Sequence, residues 1–515
     1  MTEVEEELRA ALQRLNYTPA LVNLMSGVVT DRIRRREKAS EFHSNLARAY
    51  AQKMWLGTKR CADAGRTDAM AFIALDEIAQ SRALYNARHD RPSEAPVPSR
   101  VYLIHQLKRP DEVRVMRDIY GDRFLLVAVW ASRSERIKRL TKLFAGELLG
   151  TDDARFAADA EKLVDRDERE RSAPADSDPQ SHHFGQNVRE TFPLADFFVA
   201  HSATGLWRNA VHRFVDALLG SPTCSPSHDE VGMNLAYSAA LRSASLARQV
   251  GAAICAPDGS VISTGMNEVP RPGGGAYWTG DIPDDRDIVV GVDASNAFRI
   301  GLVLDMLQQL QSRGWFRAKY TKLDELALLS AAREEGAAPD LLGNLRVMDI
   351  LDHMRAMHAE QAAIAGAALR GVAVAGATLY VTTYPCHECA RLILGAGIGR
   401  VVYVEPYAKS RARELYPAGI TDELPNDHSV DNRIPFVPFF GVAPRAYRRV
   451  FEWGSRKTAG GALTAWGPNT AFLKGASEYE GYISNEQQAR DRYLSDVHQR
   501  TLQRRGVPTR GSREA

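Results

Sequence analysis

HAEQAAIAGAALRGVAVAGATLYVTTYPCHEC, residues 358–389, decides how the rest of the chain is read. It holds His358-Ala359-Glu360 at the head of an alanine-rich helical stretch, a strand pattern at 377–384 (ATLYVTTY), and Pro385-Cys386-His387-Glu388-Cys389 opening a second helix. One imidazole and two thiolates make a three-ligand zinc site whose fourth position stays open, the arrangement that separates catalytic from structural zinc. Glu360, two residues past the histidine, is the proton carrier and not a ligand. Cys386 and Cys389 at i, i+3 share a helix face, and the positive end of the helix favours both sulfurs as thiolates. Pro385 is expected in the first helical turn. A lone Cys-x-x-Cys would also suit a redox pair or half of a structural zinc site, and a lone His-x-Glu means little. Both halves occur here in order, each at a helix start with a strand between them, which points to a catalytic zinc centre. His387, between the cysteines, should point off the ligand face, and His353 is read as solvated or hydrogen-bonded. Cys61, Cys224 and Cys255 are ordinary thiols, the last in a core strand.

Working outward, residues 249–269 (QVGAAICAPDGSVISTGMNEV) read as a hairpin turning at Pro257-Asp258-Gly259, after a helix from Gly232 to about Arg248. A glycine- and proline-rich stretch at 270–275 leads into a mostly helical segment to 350, and RVVYVEP at 400–406 reads as a strand. Gly, Ser and Pro crowd together at 220–230 (GSPTCSPSHDE), which sets a domain boundary. Before it, Val4, Leu8, Ala11, Leu12 and Leu15 have helical spacing, and Leu21 to Leu24 are extended. Apolar runs at 71–78 (AFIALDEI), 100–107 (RVYLIHQL), 123–131 (RFLLVAVWA) and 195–202 (ADFFVAHS) alternate with charged helical stretches, the pattern of a parallel sheet covered by helices. Asp165 to His183 reads as an exposed loop. The expected domains are therefore 1–220, 229–450, and a partly disordered extension at 451–515.

At 515 residues the chain is long enough for about three domains. With 44% hydrophobic and 25% charged residues most of it should fold. Lys+Arg 66 against Asp+Glu 64 leaves a net charge of +2, which argues against a dedicated nucleic-acid binder. Five cysteines are too few for a disulfide scaffold. The acidic start MTEVEEELRAALQRL has no signal-peptide layout, and no apolar run reaches membrane-span length, so a cytoplasmic location without membrane contact is expected.

The motif pair has the form of the zinc deaminase signature. HAEQAAI (358–364), YVTTYPCHECARLIL (380–394), AGIGRVVYVEPYAKS (396–410) and Gly265-Met266-Asn267 resemble the deoxycytidylate deaminase family. Together with GGGAYWTGD (273–281) and DDRDIVVGVDASN (284–296), they are similar to bacterial anti-phage dCTP deaminases. That resemblance implies an α/β fold in which a P-loop kinase-like parallel-sheet domain precedes a cytidine-deaminase-like α/β/α sandwich. It implies conversion of dCTP and dCMP to dUTP and dUMP, which drains the deoxycytidine nucleotides that phage replication needs. It also implies homo-oligomers, restraint of some members by a small regulatory RNA, and contact of Asn267 with the nucleoside. Lys409, as a point charge, and Gly273-Gly274-Gly275, by close backbone approach, are the candidates for gripping sugar and phosphate.

LLVAVWASRSERIKRL (125–140) and LADFFVAHSATG (194–205) resemble nucleoside-monophosphate kinase folds. No G-x-x-x-x-G-K-[ST] segment occurs in the chain, so the first strand and phosphate loop of such a fold are expected to be absent and no kinase activity is expected. Two other readings stand beside this one. The same zinc chemistry could act on cytosine or adenine within RNA or single-stranded DNA, with the Arg-rich tail (490–513) as its arm, although such a tail is more often a solvated end. A nucleotide-sensing switch in which the zinc site is secondary is the other.

Overall fold

The computed structural model describes residues 2–24, 42–146, 153–169, 183–201, 205–324, 327–330, 354–407, 410–422, 432–474 and 481–504. The chain divides into two compact units, residues 1–225 with 440–515, and residues 226–439.

The first unit begins α1 (Thr2–Gln13), β1 (Thr18–Asn23), α2 (Asn45–Ala64), α3 (Ala69–Arg88), β2 (Arg100–His105), α4 (Pro110–Tyr120) and β3 (Val127–Trp130). It continues with α5 (Arg133–Ala145), α6 (Asp153–Arg169), β4 (Phe197–Ala200) and α7 (Trp207–Leu218). The apolar stripe of α1 is buried at Val4, Ala11 and Leu12 against Val211 and Phe214 of α7. β1 pairs parallel with β2, and β3 parallel with β4, as the alternation of strands and helices requires. The expected single sheet is instead two ladders, β1-β2 and β11-β4-β3, where β11 is Gly441–Val442. Val101 and Leu103 of β2 nonetheless pack on the same core as Val127 and Val129 of β3.

Two sequence expectations give way here. Residues 71–78 are helix, part of α3, because Ala71, Ala74, Leu75 and Ile78 lie at i, i+3, i+4, i+7 and are all buried on one face. Asp165 to Arg169, expected in a loop, complete α6, whose Leu163 and Val164 are buried just before them. Residues 170–182 of that expected loop lie outside the described residues.

The second unit contains α8 (His228–Ala240), β5 (Gly251–Cys255), β6 (Val261–Met266), α9 (Asp287–Val290) and α10 (Ala294–Ser312). After these come α11 (Ala359–Leu369), β7 (Thr378–Thr383), α12 (His387–Ala396), β8 (Arg400–Glu405), β9 (Ile420–Thr421) and β10 (Ile434–Pro438). Its six strands run in the order β6-β5-β7-β8-β10-β9. β5 is antiparallel to both neighbours, and the others are parallel. The layers follow from two close approaches. A Cβ on Gly251 would meet Ala236 O of α8 at 2.0 Å, and one on Gly265 would meet Ala359 O of α11 at 2.3 Å. Gly265 pairs with Ala252, the neighbour of Gly251, so the two glycines face opposite sides of the sheet and the helices cover both faces. Asp229 of α8 holds its own helix down with a fork from Arg400 at 2.7 and 2.8 Å and the Tyr380 hydroxyl at 2.9 Å. α8 stops at Ala240, short of the expected Arg248, and the chain beyond it is fastened to the end of β6. There the Ser243 hydroxyl donates to Asn267 O, and Ala244 N–H donates to Glu268.

The final stretch does not form the separate extension expected for 451–515. β11 (Gly441–Val442) adds antiparallel to β4, α13 (Pro444–Phe451) follows, and α14 (Tyr482–Arg504) packs on α3 and α4 in the first unit. Its composition hides this, because Arg and Gln surround a face on which Ala489, Tyr493 and Val497 join the core and Tyr493 stacks on Phe72 at 4.4 Å. Residues 505–515 lie outside the described residues. Among the described residues no helix is long and apolar enough to cross a membrane.

Glu486 of α14 is fully buried and takes both arms of Arg82 at 2.6 and 3.1 Å and the Tyr120 hydroxyl at 2.8 Å. Removing one member of a buried pair strands the other charge, at a cost of about 3–5 kcal/mol. Glu486→Ala is therefore expected to destabilise the full chain by about that much in urea unfolding, and replacing both Arg82 and Glu486 with Met is expected to recover most of it.

Candidate metal centre and active site

The sequence brings a histidine and two cysteines to the starts of two helices, and the fold brings those starts together. His358 is the N-cap of α11 and Cys386 the N-cap of α12, whose sulfur accepts from Cys389 N–H at 3.5 Å. The helix thus begins after Cys386, and Pro385 precedes the cap and lies outside the first turn where it was expected. Gln361 accepts from the His358 backbone N–H at 3.1 Å and completes the cap of α11. His358 Nδ1 lies 3.2 Å from the sulfur of Cys386 and 3.2 Å from that of Cys389. Among the described residues these three form a group whose ligand atoms fall within 4.8 Å of one another. His387 stands outside this group, and His353 lies outside the described residues.

Both cysteines are buried and unoxidised. The hydrogen bond from Cys389, against the cost of burial and with help from His358, pulls the Cys386 thiol down to about 4. Burial holds Cys389 well above the usual thiol range, so the pair carries one negative charge between them. Burial pulls the His358 imidazole down, but the hydrogen bond to Cys386 and its charge outweigh that and raise it. One borderline nitrogen and two sulfurs, with one thiolate formed beforehand, are a donor set that fits zinc, and binding would release the remaining proton.

Glu360 sits at the second position of α11, only 4% exposed, within reach of the Cys389 sulfur. Burial pushes its carboxyl up to about 7, against the pull of the His358 charge. A carboxyl poised near neutrality beside a three-donor metal set can take up a proton and return it without a large free-energy cost in either direction.

A cavity of about 220 Å³ opens over this group. One wall comes from the sheet side, with Asn267, Thr383 and Tyr384, and the facing wall from the insertion between β6 and α11, with Asp287, Ser295 and Arg299. Asn267 lines the cavity, but its amide is used on the main chain, accepting from Val250 N–H at 2.7 Å and donating to Arg248 O at 2.8 Å. Gly273-Gly274-Gly275 are not among the described residues that line the cavity. They form a turn closed by a bridge between Pro270 and Ala276. Lys409 lies outside the described residues. Asp287 and Ser295 lie in the 284–296 stretch that carries the family resemblance, yet nothing in their type or spacing marks them, or Arg299, as part of a cavity wall. Tyr384 was within reach of it, standing immediately before Pro385.

Residues 226–405 match the model of the cytidine and deoxycytidylate deaminase zinc-binding region. Deoxycytidylate deaminase of Enterobacteria phage T4 is 47% identical over 55 residues, 11% of this chain and 28% of that protein. ComE operon protein 2 of Bacillus subtilis (strain 168) is 45% identical over 75 residues, 14% of this chain and 40% of that protein. The chain thus spans well under half the length of the relatives it matches. Among solved structures, the apo form of dCMP deaminase from cyanophage S-TIM5 is 14% identical, covering 42% of this chain and 99% of that one at a TM-score of 0.21. The motif pair, the three donors it brings together and the family match coincide on one stretch of chain, residues 226–405, which is similar to the zinc-binding region of the cytidine and deoxycytidylate deaminase family.

Proposed function

We propose that this protein is a zinc-dependent hydrolytic deaminase of free deoxycytidine nucleotides, releasing ammonia from dCMP and dCTP to leave dUMP and dUTP. The observation that carries the reading is the buried Glu360 carboxyl beside His358, Cys386 and Cys389 at the base of a cavity. Zinc held by these three residues supplies the Lewis acidity that makes water nucleophilic near neutral pH. Glu360 accepts a proton as water adds to the ring carbon and passes it to the ring nitrogen. It then carries the second proton of that water to the departing amine, so that the water oxygen stays on the ring as the carbonyl and the amine leaves as ammonia. The helix starts of α11 and α12 face the developing charge with their positive ends.

The near-neutral charge of the chain, +2, supports a free nucleotide over a polymer as substrate. Asn267 then serves by bracing the wall against which the nucleoside lies. On this reading the enzyme depletes deoxycytidine nucleotides, which suits defence against phage replication. We read the first unit as nucleotide-kinase-like, on the strength of its parallel β1-β2 and β3-β4 pairs.

Metal analysis is expected to find about one zinc per wild-type chain, lost in Cys386→Ser and retained in Glu360→Gln. Full zinc in Cys386→Ser would refute the ligand set. Glu360→Gln is expected to lower uracil production from dCMP by about 100-fold or more, the range that proton-transfer groups contribute. Wild-type protein should deaminate dCMP or dCTP far faster than cytosine in a single-stranded oligonucleotide, and equal rates would favour action on polymers.

A further inference from the structure

Arg355 lies three residues before the metal ligand His358 and belongs to the same cavity. Its guanidinium is forked across two acidic residues of the insertion, with Nη1 2.9 Å from Asp287 Oδ1 and Nη2 2.5 Å from Asp285 Oδ2. A third bond, from Nη2 to the Asp285 carbonyl at 2.9 Å, ties the backbone itself. Asp287 is the first residue of α9, and the chain runs from there through Asp293, the N-cap of α10, to Ser295 and Arg299 on the cavity wall. The approach to His358 is held a second time where Met357 N–H donates to Glu268 O at 3.0 Å, at the end of β6. The segment leading into the ligand is therefore fastened on one side to the sheet and on the other to the insertion.

We infer that Arg355 is a positioning residue that holds the α9–α10 wall over the metal centre and so sets how tightly the nucleotide is held. This rests on the deaminase reading and adds to it a determinant outside the metal motifs. The Arg355–Asp287 pair is partly shielded, with side-chain exposures of 30% and 18%, whereas Asp285 is 53% exposed. A forked arginine between carboxylates fixes orientation as well as distance, which a single exposed pair does not. If the wall were free to swing, substrate would meet His358, Cys386 and Cys389 in place but lose its facing contacts. Binding would weaken while the chemical step stayed the same.

The test uses the full zinc-loaded chain. Arg355→Ala is expected to raise KM for dCMP, and the calorimetric Kd, about tenfold, with zinc content unchanged and kcat at saturation within about threefold. Arg355→Lys should recover part of the loss, since it keeps a charge but not the fork. Asp285→Asn with Asp287→Asn should reproduce the rise, and adding Arg355→Ala to that pair should raise KM no further, as coupled partners do. A fall in kcat or zinc with KM unchanged, or additive effects, would overturn the inference. Wild type that binds dCMP but deaminates no cytosine substrate would sink the deaminase reading alone, because the binding cycle still reports on the wall. Wild type that neither binds nor deaminates would overturn both.

Discussion

Helix α11 rests on strand β6 at Gly265, where any side chain would run into the Ala359 carbonyl at 2.3 Å and the Ala363 nitrogen at 2.4 Å. Ala359 stands between His358 and Glu360, so this backbone contact places the candidate metal donor and the buried carboxyl together. The alanines along α11 follow from it: Ala359, Ala363 and Ala367 are all fully buried, and only a small residue lets a helix lie this close to a sheet. Cys386 and Cys389 approach from the next strand–helix junction, at the end of β7, and all four side chains meet at the same edge of the sheet. A single glycine in β6 thus determines whether the chemistry assembles.

Both helices begin at this point, and that matters electrically. The Cys389 hydrogen bond, with help from His358 and from the backbone N–H at the helix start, holds the sulfur that caps α12 as thiolate against the cost of burial. Glu360 lies on the inner side of α11, removed from water, where its own charge is disfavoured. The same two elements therefore hold one acid group ionised and another near neutrality, a separation that comes from where each side chain lies on its helix. In the first unit, by contrast, burial of charge serves packing: Glu486 and Arg82 lock α14 against α3.

The insertion between β6 and α11 makes the site a cavity. It supplies the wall that faces the metal donors, and its acidic residues Asp285 and Asp287 are held by the arginine that leads into His358. Chain added between two elements of a rigid scaffold is a common place for binding selectivity to reside, since the scaffold fixes where the loop is aimed.

The three side chains that come together as a possible metal site were legible in the sequence, and Glu360 beside them, because His-x-Glu and Cys-x-x-Cys each lie within one helical turn. The strands around them were legible too, since β5, β6, β7 and β8 are apolar runs bounded by turn residues. Other features needed the fold. Residues 71–78 have the composition of a strand, and only the buried face of α3 shows that their period is helical. α14 has the charge of a solvated tail, and its apolar face gains meaning only once α3 offers a surface to cover it. Asn267 is a plausible substrate contact by position, yet its amide bonds to Val250 and Arg248, partners that only the return of the chain beside β6 brings near. Arg355, Asp285 and Asp287 could not be picked out at all, because the arginine stands about 70 residues from the acids it grips. Local spacing determined which residues could hold a metal and move a proton. Contacts between distant segments, which no local pattern encodes, decided what walls surround them.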